Sequence, residues 1–153
     1  MKVKYYDLEN KRVFVTGGGS GIGASIVEHF CEQGSEVYFI DINVSESEKL
    51  IEEIKNKKYS IPTFIQCDLL NIKQLQKTIA DIISNKGPID ILINNAANDT
   101  RHKIDDVTEE YWNERINVNL RHFFFTVQSV KKSMIDNGGG AIINMGSTSW
   151  MVG

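Results

Sequence analysis

A glycine-rich turn, Thr16-Gly17-Gly18-Gly19-Ser20-Gly21-Ile22-Gly23, joins a short β-rich run to an amphipathic run near the start of the chain. The run before it, Arg12 to Thr16, is apolar and β-branched, and from Gly21 onward apolar residues recur at helical spacing. A strand that leads directly into a helix predicts a βαβ unit. The glycines allow a tight turn that presents backbone N–H groups at the helix N-terminus to a phosphate. The sequence therefore predicts a nucleotide-phosphate loop.

Strand-like and helix-like segments alternate along the whole chain, which predicts a single domain over residues 1–153. We expect strands at Arg12–Thr16, Glu36–Asp41, Ile61–Cys67, Ile89–Ile93 and Ala141–Met145. We expect helices at Gly21–Glu32, from a capping box at Ser45 and Glu48, over Ile72 to Ile83, over Thr108–Asn117 and over Leu120–Met134. This alternation predicts an α/β fold with a doubly wound parallel sheet, Rossmann-like, in strand order 3-2-1-4-5 and truncated after strand 5.

Composition excludes several classes of function. The net charge of −3 gives no basic surface, so nucleic acid and anionic membranes are poor partners, and no apolar run approaches the length of a membrane span. Cys31 and Cys67 are too few for a disulfide framework and indicate buried thiols in a cytoplasmic protein. Metal binding by these cysteines with His29 is a weak alternative because the spacing fits no known ligand pattern, and we expect no metal site.

Polar residues end the predicted strands at the carboxyl edge of the sheet, where ligands bind in folds of this kind. Asp41 lies eighteen positions after Gly23, close to the spacing expected of an acid that binds the ribose 2′-hydroxyl of NAD and repels the 2′-phosphate of NADP. Asp68 could accept a hydrogen bond from adenine or could only cap a strand end. Asn94-Asn95-Ala96-Ala97 and Ser147 end the fourth and fifth strands beside the same crevice.

Together these motifs resemble the short-chain dehydrogenase/reductase superfamily in order and spacing. The resemblance begins near residue 8 and covers roughly the first three-fifths of a usual member. It is closest to the bacterial aldose 1-dehydrogenases, the D-xylose and D-galactose branch, through the stretches at residues 94–102, 110–112, 116–122 and 138–150. That branch oxidises the C1 hemiacetal of a free sugar to a lactone with NAD.

The resemblance implies a role for each matching residue. Ser20 and Ile22 would contact pyrophosphate, Asp41 the adenosine ribose, and Asp68 and Leu69 the adenine, while Asn95 would lie on the nicotinamide side. Asn119 would hold a water in a proton relay and Ser147 would orient the substrate. The implied catalytic residues are Asn119 and Ser147, and the implied cofactor-binding residues are Gly17, Ser20, Gly21, Ile22, Gly23, Asp41, Asp68, Leu69, Asn95 and Ala96.

The family's catalytic Tyr-x-x-x-Lys pair is expected about a dozen residues after Ser147, whereas this sequence ends at Gly153. We therefore expect the chain alone to be inactive. Two interpretations stay open: part of an aldose dehydrogenase whose C-terminal part is supplied separately, or an inactive truncated relic that at most binds nucleotide or a partner. A free-standing NAD sensor has no positive feature in the sequence.

Further expectations concern histidines, aromatic residues and assembly. His102 is a candidate for contact with sugar hydroxyls, whereas His29 and His122 are expected to be surface or packing residues. Trp112 and the Phe123-Phe124-Phe125 run are expected in the core or an interface. Because Ile142 and Ile143 would lie on an uncovered strand, we expect a homo-oligomer or pairing with a C-terminal partner piece.

Overall fold

The computed structural model describes residues 3–147 and contains one sheet of five parallel strands. The strand order is β3-β2-β1-β4-β5, which confirms the predicted topology. The strands are β1 (Arg12–Thr16), β2 (Glu36–Asp41), β3 (Thr63–Gln66), β4 (Ile91–Asn94) and β5 (Ala141–Asn144). The winding direction reverses between β1 and β4, so their carboxyl ends form a crevice that can receive a ligand.

Five α-helices connect and cover these strands. They are α1 (Gly21–Glu32), α2 (Val44–Asn56), α3 (Ile72–Lys86), α4 (Glu109–Ile116) and α5 (His122–Asp136). A π-helical turn, Asn117–Arg121, joins α4 to α5, and short 3-10 turns lie at Tyr6–Leu8 and Ile104–Asp106.

The apolar core lies in two layers because alternate strand residues point to opposite faces of the sheet. Phe14 and Leu92 face α3 and α5, whereas Val15 and Phe39 face α1 and α2. All four side chains are fully buried, and each such burial contributes about 1.5–3 kcal/mol to folding. Both faces of the central strands are therefore covered, as their almost continuously apolar sequences predict.

The predicted capping box at the start of α2 is wrong. Helix α2 begins at Val44, and its N-cap is Asn43, whose side-chain oxygen accepts a hydrogen bond from the Glu46 amide at 3.2 Å. Ser45 already lies inside the helix and donates to that same Asn43 oxygen at 3.0 Å. Asn is as good an N-cap as Ser, so the earlier of the two candidates begins the helix.

Three strand boundaries differ from the predictions. Strand β3 begins at Thr63 instead of Ile61, since Pro62 has no N–H to contribute to a ladder. Strand β4 runs over Ile91–Asn94 instead of Ile89–Ile93, although Ile89 is fully buried before the strand begins. Strand β5 ends at Asn144, one residue before the predicted end.

The predicted apolar stripe of the last helix is wrong in its first half. Leu120 and Phe124 are exposed, and the residues that face the sheet are His122, Thr126, Val130 and Met134. The π-helical turn adds a residue to the helical path and so rotates the face that follows it. Polar His122 and Thr126 are tolerated inside because both form hydrogen bonds.

Trp112 does not lie in the core either, since 61% of its surface is exposed. Of the aromatic run, Phe124 is 65% exposed while Phe123 and Phe125 are half-buried. Ile22, at the start of α1, is also exposed. Across residues 3–147, no helix is both long enough and apolar enough to cross a membrane.

Candidate functional site

The glycine turn is held at the carboxyl edge of the sheet by neighbouring backbone. The amides of Gly17 and Gly18 donate to the carbonyl oxygen of Ile40, at 2.8 and 3.2 Å, which ties the turn to the end of β2. Gly17 has a φ of +65°, a conformation that glycine adopts without strain. The turn therefore lies beside the crevice between β1 and β4, as the sequence predicts.

Close packing explains two of the glycines. A Cβ on Gly17 would lie 2.8 Å from the Cα of Ala96, and a Cβ on Gly23 would lie 1.9 Å from the Gly17 carbonyl oxygen. Side chains at these positions would push the turn away from the sheet and from the helix. By contrast, the space around a Cβ on Gly21 is open, so this glycine leaves the approach to the helix free.

Helix α1 begins immediately after this turn, with Ser20 as its exposed, extended N-cap residue. The Ser20 side chain forms no capping hydrogen bond, so it does not occupy the amides of the first turn. Those amides have no acceptor within the helix, and the helix dipole is positive at this end. Together with the open space at Gly21, this arrangement fits a bound phosphate or pyrophosphate, with exposed Ile22 beside it.

Asp41 ends β2 and points toward the glycine turn. Its Oδ2 accepts a hydrogen bond from the Gly19 amide and its Oδ1 one from the Asn43 amide, both at 2.9 Å. A Cβ on Gly19 would lie 3.0 Å from this carboxylate. The half-buried carboxylate is thus fixed beside the phosphate turn, and each oxygen keeps a further lone pair for another donor.

Asp68 and Leu69 follow β3 at the same edge of the sheet. Asp68 is exposed, and its Oδ1 accepts from the Leu70 amide at 2.9 Å. Leu69 is buried and packs in the core layer that contains α3. The Asp68 contact is that of a turn cap, and adenine binding by these two residues stays a prediction.

Asn95 and Ala96 follow β4 and contact the glycine turn directly. The Asn95 side-chain amide donates to the carbonyl oxygens of Thr16 and Gly17, at 3.1 and 3.0 Å. The backbone amides of Asn95 and Ala96 both donate to the Thr16 hydroxyl, at 3.0 and 3.1 Å. Asn95 therefore fastens β4 to the turn, and its contact with nicotinamide stays a prediction.

The Thr16 hydroxyl is buried, and its role as the shared acceptor for these amides is not predicted by the sequence. The same holds for the contact of His122, whose Nε2 lies 3.4 Å from that hydroxyl oxygen. His122 and His29 are expected to be surface or packing residues, and the structure confirms this. The His122 ring is fully buried, whereas His29 is exposed. Burial lowers the pKa of His122 to about 4, so the ring is neutral at neutral pH.

Asn119 lies in the π-helical turn and binds the segment after β4. Its Oδ1 accepts from the Asn98 amide at 2.7 Å, and its Nδ2 donates to the Asn98 carbonyl oxygen at 3.0 Å. Ser147 is exposed after β5, which pairs with β4 at the edge of the sheet. Asn119 therefore holds the loop after β4, and the catalytic roles of Asn119 and Ser147 stay predictions.

His102 lines a separate cavity of about 500 Å³ between the 102–107 segment and α4. Its Nδ1 lies 2.8 Å from the Tyr111 hydroxyl, and the Arg115 guanidinium lies over the Tyr111 ring at 4.7 Å. Neither Asn119 nor Ser147 lines this cavity. His102 is therefore an exposed residue that contacts Tyr111 of α4 at the edge of this cavity, and sugar binding by His102 stays a prediction.

Cys31 and Cys67 are both buried and free, and burial raises the pKa of the Cys31 thiol to about 12 and that of the Cys67 thiol to about 11. Among the described residues, no group of three or more His, Cys, Asp or Glu side chains could hold a metal ion.

Comparison with known proteins agrees with this geometry. The family model described as short chain dehydrogenase matches residues 11–153, which is nearly the whole chain. The chain belongs to the short-chain dehydrogenase family.

Two curated relatives act on sugars by name. The chain is 48% identical over 149 residues to a D-xylose 1-dehydrogenase of Caulobacter vibrioides, covering 97% of this chain and 58% of that protein. It is 42% identical over 149 residues to a probable galactose dehydrogenase, GalD, of Rhizobium meliloti, with the same coverage of both chains. The chain thus spans a little under three-fifths of the length of these relatives.

A solved structure supports a nicotinamide cofactor. A 7α-hydroxysteroid dehydrogenase complexed with NADH has a TM-score of 0.86 and 29% sequence identity to this chain, covering 95% of this chain and 56% of that one. Three features of the site fit such a dinucleotide: the glycine turn, the uncapped first turn of α1 and the Asp41 carboxylate. The family and the geometry therefore favour a nicotinamide dinucleotide as the ligand.

Proposed function

We propose that this chain is the dinucleotide-binding part of an NAD-dependent aldose 1-dehydrogenase. The observation that carries the proposal is the Asp41 carboxylate, fixed at 2.9 Å from the amide of Gly19 in the phosphate turn. The sugar class rests on the identity to D-xylose and galactose dehydrogenases over 97% of this chain.

Charge at Asp41 is our reason for preferring NAD to NADP. The lone pairs left on its two oxygens are suited to accept hydrogen bonds from ribose hydroxyls. A 2′-phosphate in the same place would bring like charges close together, which costs several kcal/mol where the pair is partly screened from water. The phosphate turn offers Ser20 where a basic residue would be needed to compensate.

A bound nicotinamide dinucleotide would supply the hydride acceptor for oxidation of the sugar at C1 to a lactone, a reaction in which the C1 hydroxyl also loses its proton. In this proposal Ser147 orients the sugar and Asn119 holds the water that relays the proton. The general base is a tyrosine made more acidic by a nearby lysine. None of the five tyrosines in these 153 residues has a lysine four positions later, so we place the base outside this sequence.

The absence of a Tyr-x-x-x-Lys pair from these 153 residues favours a second candidate. This candidate is a protein that binds nucleotide or a partner without catalysing turnover. Both candidates predict that the 153-residue chain forms no NADH on its own. They differ when the missing part is supplied, since a separate C-terminal piece that contains Tyr-x-x-x-Lys would restore NADH formation only in the first case.

Calorimetric titration with NAD and NADP tests the cofactor. We expect weak binding of NAD and weaker binding of NADP, with no NADH formed from D-xylose or D-galactose. Asp41→Ser should weaken NAD binding about tenfold and reduce the preference for NAD, because it removes the charge and one acceptor. Asp136→Ser, which removes the same charge from an exposed position on α5, is the matched control.

Two results would contradict the proposal. Binding of NADP as tight as that of NAD would remove the role assigned to Asp41. Sustained NADH formation by the unmodified chain would show that the base lies within these residues.

We further propose a cytoplasmic protein, because its two thiols are free, and an assembly that covers its exposed apolar residues. The partner is a second copy of the chain or a C-terminal piece. Nucleic acid is not a partner in this proposal, since the net charge is −3.

A further inference from the structure

The Thr16 hydroxyl lies at the centre of a buried network that joins three elements. It is within hydrogen-bonding distance of the Asn95 amide at 3.0 Å, the Ala96 amide at 3.1 Å and the His122 Nε2 at 3.4 Å. Thr16 ends β1, Asn95 and Ala96 follow β4, and His122 begins α5. Thr16 and His122 are both fully buried.

The directions of these hydrogen bonds follow from what each group can donate and accept. A hydroxyl has one proton and two lone pairs. Two backbone amides can only donate, so Asn95 and Ala96 fill both lone pairs of the Thr16 oxygen. The Thr16 proton must therefore be donated, and the His122 Nε2 is in position to accept it.

The opposite side of the ring selects the same tautomer. His122 Nδ1 lies 2.8 Å from the carbonyl oxygen of Val118, and a carbonyl oxygen can only accept. The proton of the neutral ring is therefore on Nδ1, which leaves a lone pair on Nε2 for Thr16. Contacts on both sides of the ring are satisfied by this tautomer and by no other.

We propose that His122 is a positioning residue for the dinucleotide site: by accepting from the Thr16 hydroxyl, it keeps both lone pairs of that oxygen directed at the Asn95 and Ala96 amides. What the site binds rests on the proposed function. The positioning itself concerns only residues of this chain and can be tested without a ligand.

The held segment is in direct contact with the phosphate turn. The Asn95 side chain donates to the Gly17 carbonyl oxygen at 3.0 Å, and Ala96 leaves no room for a Cβ on Gly17. Movement of residues 95–96 would therefore displace the first glycine of the turn. His122 thus acts on the crevice from α5 without lying in the glycine turn itself.

Substitutions at His122 separate its acceptor from its volume. His122→Leu keeps a buried apolar side chain but leaves the Thr16 proton without an acceptor, so the hydroxyl must rotate and give up one amide. His122→Gln restores a side-chain oxygen of similar reach. His29→Leu is the matched control, because His29 Nδ1 also contacts a carbonyl oxygen four residues earlier, Ser25 at 2.7 Å, but on an exposed face of α1.

Amide hydrogen exchange measures the effect without ligand. We expect His122→Leu to speed exchange of the Asn95 and Ala96 amides about tenfold, since each loses a well-placed buried acceptor for part of the time. His122→Gln should stay within about threefold of the unmodified chain, and His29→Leu should change neither amide. Unchanged exchange at both amides in His122→Leu would overturn the proposal.

The tautomer offers a second measurement that does not depend on any His122 variant folding. Nitrogen NMR of the labelled imidazole in the unmodified chain should show the proton on Nδ1 and a hydrogen-bonded Nε2. Thr16→Val should abolish the hydrogen bond at Nε2, and Thr16→Ser should preserve it. A proton on Nε2 in the unmodified chain, or an Nε2 signal that Thr16→Val leaves unchanged, would overturn the proposal.

Dinucleotide affinity then connects the network to the site. If NAD binds, its dissociation constant should rise about tenfold in His122→Leu and recover in His122→Gln. A chain that binds no dinucleotide would contradict the proposed function, while the exchange and NMR results would still decide the role of His122.

Discussion

The space around each glycine of the phosphate turn decides whether that position can accept a larger residue. A Cβ on Gly23 would lie 1.9 Å from the Gly17 carbonyl oxygen, a distance that only movement of the backbone can relieve. We expect Gly23→Ala to lower the free energy of unfolding by about 3 kcal/mol or more in urea denaturation. Gly146→Ala, where no atom lies within 4 Å of the added Cβ, should stay within about 0.5 kcal/mol. Equal effects of the two substitutions would contradict the described packing.

Protonation of one buried ring should make stability depend on pH. The pKa of His122 is lowered by burial from 6.5 to about 4, so between these values the unfolded chain takes up a proton that the folded chain does not. The contribution of the neutral ring to the free energy of unfolding is therefore fully present above about pH 6.5. It is lost as the pH falls from there through about 4, by about 3 kcal/mol in total. Urea denaturation at several pH values measures this loss. His122→Gln should show a shallower decline, and an equally steep one would assign the acid sensitivity to other groups.

A site residue can be predicted from the sequence when it belongs to a local pattern along the chain. The glycines and Asp41 were predicted because a tight turn and an acid eighteen positions later form a local pattern. Thr16 and His122 were missed because their contacts join residues 106 positions apart, and nothing along the chain marks such a pair. The available signal was the position of His122, a polar residue on the side of α5 that faces the sheet. That signal could not be used because the sequence predicts the wrong side of this helix to face the sheet.

Helix α2 shows how a single capping residue selects where an element begins. The Asn43 oxygen accepts from the Glu46 amide, whereas Ser45 only donates to that oxygen. Asn43→Ala should therefore lower the free energy of unfolding by about 1 kcal/mol, and Ser45→Ala by less than about 0.5 kcal/mol. Thermal or urea denaturation of both variants tests this order, and a larger loss in Ser45→Ala would restore the capping box.

The order of strands and helices could be predicted from sequence because apolar periodicity and β-branched runs mark each element. The boundaries of β3 and β4 could not, since a buried residue such as Ile89 looks the same whether or not its backbone joins the ladder. The π-helical turn Asn117–Arg121 was also missed, because the hydrogen bonds that fix it run from Asn119 to Asn98 in a distant loop. The exposed stripe that follows from it was thus visible only in the structure.

At the scale of the whole molecule, large apolar side chains are exposed at two notable places within residues 3–147. At one, Trp112, Ile116, Leu120 and Phe124 recur every fourth residue along α4, the π-helical turn and α5, and each is at least 40% exposed. At the other, the neighbouring residues Ile142 and Ile143 of the edge strand β5 are exposed on opposite faces of the sheet. Exposed large apolar side chains grouped in this way often mark a contact with another chain. The described residues therefore cover both faces of the central strands but leave these apolar side chains of the helices exposed.

Association in solution follows from the helical stripe, which we name by its four residues Trp112, Ile116, Leu120 and Phe124. We expect the chain to be larger than a monomer by light scattering at tens of micromolar, because burial of these side chains removes apolar surface from water. Leu120→Glu combined with Phe124→Glu should shift the population toward monomer while circular dichroism stays unchanged, since both positions are exposed in the folded chain. Asn113→Glu adds a charge at an exposed position of α4 outside the stripe and serves as the control.

A monodisperse monomer for the unmodified chain would rule out self-association and leave a C-terminal piece as the partner. Association that persists in the double variant would instead move the contact to β5, where Ile143→Lys is the corresponding test.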